Sequence, residues 1–497
     1  MAQLPFSWSE WSALDAIALS KRVRAGEITA KEVARQAAAG IAELNPKLRA
    51  VLEVFEDVVA DPDTDGPNRS GPLYGVPLLL KDVLSGLKGR KLENGSRQFR
   101  DNVAQETDPL IGNYLGMGLI PIGRSTTPEF GWTFDTTTDY LDELIVTRSP
   151  WNLERTPGGS SGGSAAMVSA GVLPISMASD GGGSIRIPAS FCGLVGHKPS
   201  RGLVPRNLSS SEYMTRHVYE GVVTRTVRDT ALALDGLARG PEGGFFIRAT
   251  PAVPSFLDAI STPPKAWRIG FSCGAWGAAS PVDPAVVERL REVARTLEGL
   301  GHTIEEVKDG DLCDFGLLRR GYTTHGLAVR RGQIETARQR GISLEDLGKQ
   351  MSPTYYQHLL SAQDTTLFDL QRAFADNNTS IRSFGRAMAK YDALLTPTLS
   401  IRVPKANGPY SPYSNEAFAP WFERLYDACR YTIPGNETGM PSVSVPAGLD
   451  AEGMPIGALL HGKFGRDDMV LRLAAQIEAA KPEWFAARPR HHIASEP

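Results

Sequence analysis

The chain contains the stretch Gly158-Gly159-Ser160-Ser161-Gly162-Gly163-Ser164 and, further on, the stretch Asp180-Gly181-Gly182-Gly183-Ser184-Ile185-Arg186. Each stretch places a serine among glycines, so the backbone there can turn sharply and leave the hydroxyl within reach of a bound molecule. Backbone N–H groups beside such a serine can point at an oxyanion, and the missing side chains allow a close approach. The two loops therefore indicate a site at which a serine acts as a nucleophile.

An apolar run upstream of both loops ends in a lysine: Gly75-Val76-Pro77-Leu78-Leu79-Leu80-Lys81-Asp82. If this run is a buried strand, Lys81 points into the protein, where burial lowers its pKa and lets it act as a base near neutral pH. The alternative is that Asp82 forms an ion pair with Lys81 and that both are structural. Neighbouring residues of a strand face opposite sides, which weakens this alternative.

Short apolar runs alternate with helical patterns, which predicts an α/β fold. The predicted strands are 76–80, 120–123, 172–178, 194–196, 394–397 and 442–446, and the predicted helices include 109–116, 164–171 and 227–238. We therefore expect one large mixed β-sheet that is covered by helices on both faces.

The whole chain, 1–497, is expected to form a single domain. Residues 12–70 form an N-terminal helical segment, in which two amphipathic helices over 12–44 end at Asn45-Pro46. Residues 72–240 form the core that carries the serine loops. Residues 265–490 contain a variable helical region and the strands that close the sheet.

The composition excludes several classes of protein. Hydrophobic residues make up 41% of the chain, charged residues make up 22%, and the net charge is −3, as in ordinary globular proteins. This balance provides no basic surface for nucleic acid or an anionic membrane, and no apolar run reaches the roughly 18 residues of a membrane span. The start of the chain lacks the pattern of a signal peptide.

The four cysteines (Cys192, Cys273, Cys313 and Cys429) are scattered and form no Cys-x-x-Cys pair. This distribution favours reduced thiols in the cytoplasm over a disulfide framework or a zinc site. Cys192 lies near the second serine loop, but its neighbours Phe191 and Gly193 indicate a small core residue.

Other interpretations of the loops are open at this point. Residues 158–162 match the Gly-x-Ser-x-Gly turn of α/β-hydrolases, with Ser160 as the nucleophile, but none of the eight histidines stands in a motif that completes it. A phosphate-binding loop would end in Gly-Lys-Ser/Thr, which is absent here. Asp180 and Arg186 flank the second serine, and we expect them to pair and brace the loop rather than to contact a substrate.

In combination, these motifs resemble the amidase signature family. The resemblance rests on Lys81 after Gly-Val-Pro, on the loop 158–164, on the segment 180–193 and on His197-Lys198-Pro199, and it extends over about residues 12–490. It implies the amidase signature fold and a serine hydrolase with a Ser–Ser–Lys triad.

By this resemblance, Ser184 is the nucleophile, Ser160 is the bridging serine and Lys81 is the base. The resemblance also implies an oxyanion hole formed by the backbone N–H groups of Gly181, Gly182, Gly183 and Ser184. A cis peptide bond is implied between Gly159 and Ser160. Neither a metal nor an organic cofactor is required.

The implied reaction is hydrolysis of a small carboxamide, an anilide or a linear or cyclic amide, to acid and amine. Hydrolysis of aryl esters or carbamates (urethanes) is an alternative, and the glutaminase subunit of an amidotransferase is another. Leu459 and the segment 123–127 depart from the family pattern and count against a glutaminase subunit. The oligomeric state, monomer or homodimer, is open.

Aromatic residues predict one wall of the substrate pocket. Trp132, Thr133, Phe134 and Tyr140 precede the first serine loop, and aromatic side chains offer a large apolar area to a flat or chain-like substrate. The alternative is that Trp132 and Phe134 are alternate core residues of a strand. We expect the second wall in the helical region 312–390, around Cys313 and Tyr322.

Overall fold

A computed structural model describes residues 4–139, 141–205, 215–239 and 249–495. Its strands are β1 (Val51–Val54), β2 (Pro77–Lys81), β3 (Ile120–Ser125), β4 (Thr137–Thr138), β5 (Ile145–Val146), β6 (Ile175–Asp180), β7 (Val195–Lys198), β8 (Tyr219–Thr224), β9 (Arg268–Phe271), β10 (Thr303–Glu306), β11 (Ala393–Pro397), β12 (Ser442–Leu449) and β13 (Pro455–His461).

The helices of the same residues are α1 (Trp8–Ala13), α2 (Ala16–Arg24), α3 (Ala30–Leu48), α4 (Glu56–Ala60), α5 (Pro109–Gly116), α6 (Gly162–Ser169), α7 (Arg186–Cys192), α8 (Val227–Leu237), α9 (Phe256–Ala259), α10 (Pro284–Gly299), α11 (Asp309–Leu312), α12 (Phe315–Gln339), α13 (Leu344–Gly348), α14 (Pro353–Ser361), α15 (Leu367–Met388), α16 (Phe418–Cys429), α17 (Ile433–Thr438), α18 (Asp467–Ala480) and α19 (Pro482–Phe485). Short 3₁₀ helices cover Arg97–Phe99 and Glu129–Gly131. Within the described ranges, no helix combines the length and the apolar character needed to cross a bilayer.

Eight strands form the large sheet, in the order β10-β9-β11-β13-β12-β7-β8-β6. Strands β10, β9 and β11 are parallel to one another, whereas each pair from β11 through β13 to β6 is antiparallel. The late strands β11, β12 and β13 thus lie between the early strand β7 and the pair β9 and β10, of which β10 is the edge strand. The predicted α/β class and the mixed sheet are confirmed.

Successive residues of β13 pack on opposite sides of this sheet, as the period of a strand requires. Ala458 and Leu460 belong to an apolar cluster with residues of α10 and α18, whereas Leu459 belongs to a second cluster with Ile187 and Phe191 of α7. The helices therefore cover both faces, as the sequence predicts. The fully buried Leu459 is a core residue of the second cluster.

A separate three-stranded sheet, in the order β1-β3-β2, carries Lys81 at the end of β2. Strand β2 is parallel to β3 and lies beside β6 of the large sheet. All five residues of β2 are buried, so the apolar run of the sequence is a core strand that delivers Lys81 into the interior.

The predicted end of the N-terminal helix at Asn45-Pro46 is wrong, because α3 continues to Leu48 and contains Pro46 in its last turn. The side-chain oxygen of Asn45 accepts hydrogen bonds from the N–H groups of Ala50 and Val51, each at 2.8 Å. Arg49 adopts the left-handed conformation and ends the helix. Pro46 has no N–H, so α3 loses one hydrogen bond, the one to the carbonyl of Ala42. The side chain of Asn45 provides an acceptor for the two N–H groups that follow the helix.

A buried ion-pair network holds the segment that follows Lys81. Arg124 of β3 lies 2.7 Å from Asp82, 2.9 Å from Glu93 and 2.9 Å from Glu53. Asp82 also accepts hydrogen bonds from the backbone N–H groups of Glu93 and Gly95. The carboxylate of Asp82 is therefore engaged by Arg124 and by the loop that follows it.

Replacement of Arg124 should destabilise the protein strongly. Arg124→Met leaves Asp82 and Glu93 buried without their cation, and we expect the free energy of unfolding to fall by about 3–5 kcal/mol. Urea unfolding followed by tryptophan fluorescence measures this change. Arg22→Met is the control, because Arg22 and Glu27 form a pair that is about half exposed. Equal unfolding midpoints for the two variants would contradict the role of the network.

Candidate active site

Lys81 is buried and contacts two serine hydroxyls. Its Nζ lies 2.7 Å from Oγ of Ser160 and 2.9 Å from Oγ of Ser179. Burial lowers the pKa of Lys81 to about 7, although the negative charges of Glu220 and Asp180 act in the opposite direction. The amine and the ammonium forms of Lys81 are therefore both populated near neutral pH.

Ser160 lies in the first glycine loop, directly before α6. The peptide bond between Gly159 and Ser160 is cis, as the family resemblance implies. Gly158 has a φ of 82°, and a Cβ there would lie 2.9 Å from the backbone of Pro188, so only glycine fits this position. Ser160 is buried, and a Cβ added at Gly131 would lie 3.0 Å from its Oγ.

Ser184 lies in the second glycine loop, between β6 and α7, and is partly exposed. No hydrogen bond joins its hydroxyl to Ser160 within the described chain. The backbone N–H groups of Gly182, Gly183 and Ser184 likewise donate to no described residue, whereas the carbonyl of Gly182 accepts from the Thr432 hydroxyl at 2.5 Å. The loop thus combines a reachable hydroxyl with free hydrogen-bond donors.

Asp180 and Arg186 form a two-bond ion pair beneath this loop, with N···O distances of 2.9 and 2.8 Å, and both side chains are fully buried. Burial alone would raise the pKa of Asp180, but the charge and hydrogen bonds of Arg186 outweigh it and lower that pKa to about 2. Arg186 also donates to Thr432 O, Asn436 Oδ1 and Ser442 Oγ, at 2.7, 2.6 and 3.0 Å. The pair therefore joins the loop to the C-terminal part of the chain.

A cavity of about 350 Å³ lies above the loop and is lined by Ser184, Gly181 and Gly182. Three of the predicted pocket residues, Trp132, Thr133 and Phe134, also line it. The fourth, Tyr140, lies outside the described residues.

Residues 132–134 do not form a strand; they lie between the 3₁₀ helix Glu129–Gly131 and the short strand β4. Trp132 also stacks on Trp421 and His358, with ring centroids 4.6 and 4.7 Å apart, so it belongs to the packing around the cavity as well. On the other side Tyr322 of α12 lines the cavity, whereas Cys313 is buried in an apolar cluster with Phe315.

The family model described as Amidase matches residues 32–471. The chain belongs to the amidase signature family. It is therefore an amide-hydrolysing enzyme, and the family predicted from the sequence motifs is confirmed.

Individual relatives agree with this assignment. A 6-aminohexanoate-cyclic-dimer hydrolase from Paenarthrobacter ureafaciens is 31% identical and matches 96% of this chain and 96% of its own. A solved structure of 6-aminohexanoate cyclic dimer hydrolase has a TM-score of 0.87 and 28% identity, and the match covers 98% of this chain and 99% of that one. A bacterial aryl acylamidase of the amidase signature enzymes has a TM-score of 0.83 and 26% identity, covering 97% and 99%.

Several residues around the site of this amidase have no motif in the sequence. Ser179, the second hydroxyl at Lys81, directly precedes the glycine loop, but its role follows only from the adjacency of β6 and β2. Thr432, Asn436 and Ser442 support Arg186 from about 250 positions further along the chain. No local spacing links them to the serine loops, so only the fold reveals them.

One group of potential metal ligands lies beside the cavity of the amidase. The ligand atoms of His217, His325 and Glu437 are within 4.8 Å of one another. Arg216, at 3.2 Å from a carboxylate oxygen of Glu437, already provides a positive charge there. The chemistry proposed below uses no metal.

A substitution at Gly182 tests how closely α12 approaches the loop. A Cβ at Gly182 would lie 2.6 Å from the hydroxyl of Tyr322. Overpacking of this kind costs about 1–3 kcal/mol, and the loop relieves it by moving away from the position at which Ser184 reacts. Since about 1.4 kcal/mol corresponds to a tenfold change in rate, we expect Gly182→Ala to lower kcat/KM for an anilide by about tenfold.

Removal of the Tyr322 hydroxyl should relieve the clash. The double variant Gly182→Ala/Tyr322→Phe is compared with Tyr322→Phe alone, and the loss between these two should be much smaller than the loss in the native background. An equal loss in both backgrounds would show that the contact with Tyr322 is not the cause.

Proposed function

We propose that this chain hydrolyses a carboxamide, an anilide or a linear or cyclic amide, to acid and amine through an acyl-enzyme on Ser184. The observation that carries the proposal is the buried Lys81 amine bonded to Ser160, next to a cavity that Ser184 lines. The named relatives, a cyclic-dimer hydrolase and an aryl acylamidase, support an amide substrate.

The proposed proton path runs through the two serines. Neutral Lys81 accepts the proton of Ser160 across the 2.7 Å hydrogen bond, and Ser160 accepts the proton of Ser184 as Ser184 attacks the carbonyl carbon. The missing hydrogen bond between Ser160 and Ser184 then forms when substrate binds, because catalytic hydrogen bonds often tighten only in the complex. The same groups return the proton to the leaving amine, and water hydrolyses the ester on Ser184.

The N–H groups of Gly181, Gly182, Gly183 and Ser184 are proposed to stabilise the oxyanion. Preorganised donors aimed at the developing charge stabilise it without reorganisation. The free N–H groups of this loop and the ion pair of Asp180 with Arg186, which braces it, support this role.

Trp132, Thr133 and Phe134 are proposed to hold the substrate, together with Tyr140. The first three line the cavity, and Trp132 is fixed by stacking on Trp421. A rigid aromatic wall suits an aryl or extended alkyl group. All four cysteines are free, which is compatible with the proposed cytoplasmic location.

Removal of the Ser184 hydroxyl should abolish the reaction. Ser184→Ala has no nucleophile, so we expect anilide hydrolysis to fall by several orders of magnitude and a fluorophosphonate to leave no adduct at this position. Mass spectrometry of the labelled native protein should place the adduct on Ser184. An adduct on Ser160 would instead favour the Gly-x-Ser-x-Gly interpretation.

The pH dependence of kcat/KM should follow the protonation state of Lys81. Below about pH 7 Lys81 is an ammonium that cannot accept a proton, so kcat/KM should rise as the pH increases through about 7. Glu220 raises the pKa of Lys81, and Glu220→Gln should therefore move the midpoint to lower pH. His217→Gln is the control, because His217 lines the cavity. If the increase of kcat/KM with pH disappears in His217→Gln, the assignment of Lys81 as the base is wrong.

A further inference from the structure

The cavity above Ser184 has an unusual charge balance. Of the described residues that line it, Arg330 is the one Lys, Arg, Asp or Glu side chain, and the remainder are apolar, aromatic, glycine or neutral polar. A cavity for a neutral apolar substrate has no need of an uncompensated cation, because a charge in apolar surroundings is costly unless it is paired.

Among the described residues, the guanidinium of Arg330 has no partner of opposite charge. Its Cζ lies 4.8 Å from the ring centroid of Tyr355, which orients the group without neutralising it. Its Nε is buried with no hydrogen-bond partner, and no carboxylate of the described chain lies within ion-pair distance. Glu129 is not available, because its Oε2 accepts from the N–H and the hydroxyl of Ser352 at 2.7 Å.

Two neutral amides add further donors to the cavity. Gln333 accepts the Tyr355 hydroxyl on its Oε1 at 2.8 Å, which leaves its NH₂ group to donate. Asn94 accepts a hydrogen bond from the N–H of Leu84 on its Oδ1 at 3.2 Å, so its NH₂ group can also donate. The cavity thus offers neutral hydrogen-bond donors to an acceptor in addition to the cation of Arg330.

The position of Arg330 along α12 sets its distance from the serine loop. The cavity face of α12 begins with Tyr322, whose hydroxyl lies 3.3 Å from the carbonyl oxygen of Gly181. Arg330 follows eight residues later, which corresponds to about 12 Å along the helix axis. The cation therefore lies about two turns of α12 away from the residue that contacts the serine loop.

We propose that the substrate carries a carboxylate at the end remote from the scissile amide and that Arg330 binds this carboxylate. The proposal rests on the amide hydrolysis proposed above and specifies its substrate class. A planar guanidinium donates two parallel hydrogen bonds to the two oxygens of a carboxylate, and Gln333 lies one helical turn away to donate to the same group. The substrate is then an N-substituted monoamide of a dicarboxylic acid, with the free carboxylate on the acyl side.

Matched anilides test this assignment. The probes are p-nitroanilides of dicarboxylic acids with four to eight methylene groups, and each is compared with the ω-hydroxy acyl p-nitroanilide of the same length. Hydrogen bonds to a charged group correspond to about a 10- to 100-fold effect. We expect the native enzyme to prefer the carboxylate probe by such a factor in kcat/KM, at the length that spans the cavity.

The preference should depend on Arg330. In Arg330→Met the ratio of the two kcat/KM values should fall to about 1, through a higher KM for the carboxylate probe, and Arg330→Lys should keep part of the preference. Arg331→Met is the matched control, because Arg331 is the next residue of α12, pairs with Glu335 at 2.6 Å and does not line the cavity. Its ratio should equal that of the native enzyme.

The outcomes separate the two proposals. If the native enzyme hydrolyses neither kind of probe, the proposed amide hydrolysis is wrong. If it hydrolyses the neutral probes with no preference for a carboxylate, or if Arg330→Met lowers the hydrolysis of both kinds of probe equally, only the role of Arg330 is overturned.

If Arg330→Met does not fold, inhibition of the native enzyme by the free dicarboxylic acid replaces it as a test. That acid should inhibit the native enzyme competitively, and the diol of the same length should not.

Discussion

The structure depends on placing a lysine amine in the interior next to a serine hydroxyl. Lys81 reaches Ser160 and Ser179 because β2 lies beside β6 and because the loop before α6 is close to both. Burial makes the ammonium form costly, and the two hydroxyls provide the hydrogen bonds that an amine in the interior requires. A base near neutral pH is thus a property of the packing of two sheets and not of the lysine alone.

The second support of the site is a charge pair that spans the chain. Arg186 is fully buried, and it is tolerated there because Asp180 neutralises it while Thr432, Asn436 and Ser442 accept its remaining hydrogens. Breaking a buried pair costs far more than its net contribution to stability. The pair therefore fixes the backbone of the glycine loop relative to the sheet strand β12 and to the helix α17.

The cavity combines these elements of the core with side chains from the helical region. Trp132 and Phe134 come from the segment before the first serine loop, whereas Tyr322 and Arg330 come from α12. In the proposed reaction, the serine loops act on the amide bond, and the helices determine which groups of the substrate can lie beside it. Arg330, a cation without a charged partner among the described residues, belongs to the helical side of the cavity, and the proposed reaction itself does not require it.

The sequence by itself determined the family, the α/β class and the candidates Lys81, Ser160 and Ser184, because sharp turns and a buried strand require particular residue types at adjacent positions. Only the tertiary structure decided the partners that lie far away in the chain, such as Ser179 at Lys81 and Asn436 at Arg186. It also decided that α3 passes Pro46 and that Arg330 faces the cavity. These features depend on which surfaces meet after folding, and a contact between distant segments leaves no spacing that a single sequence can reveal.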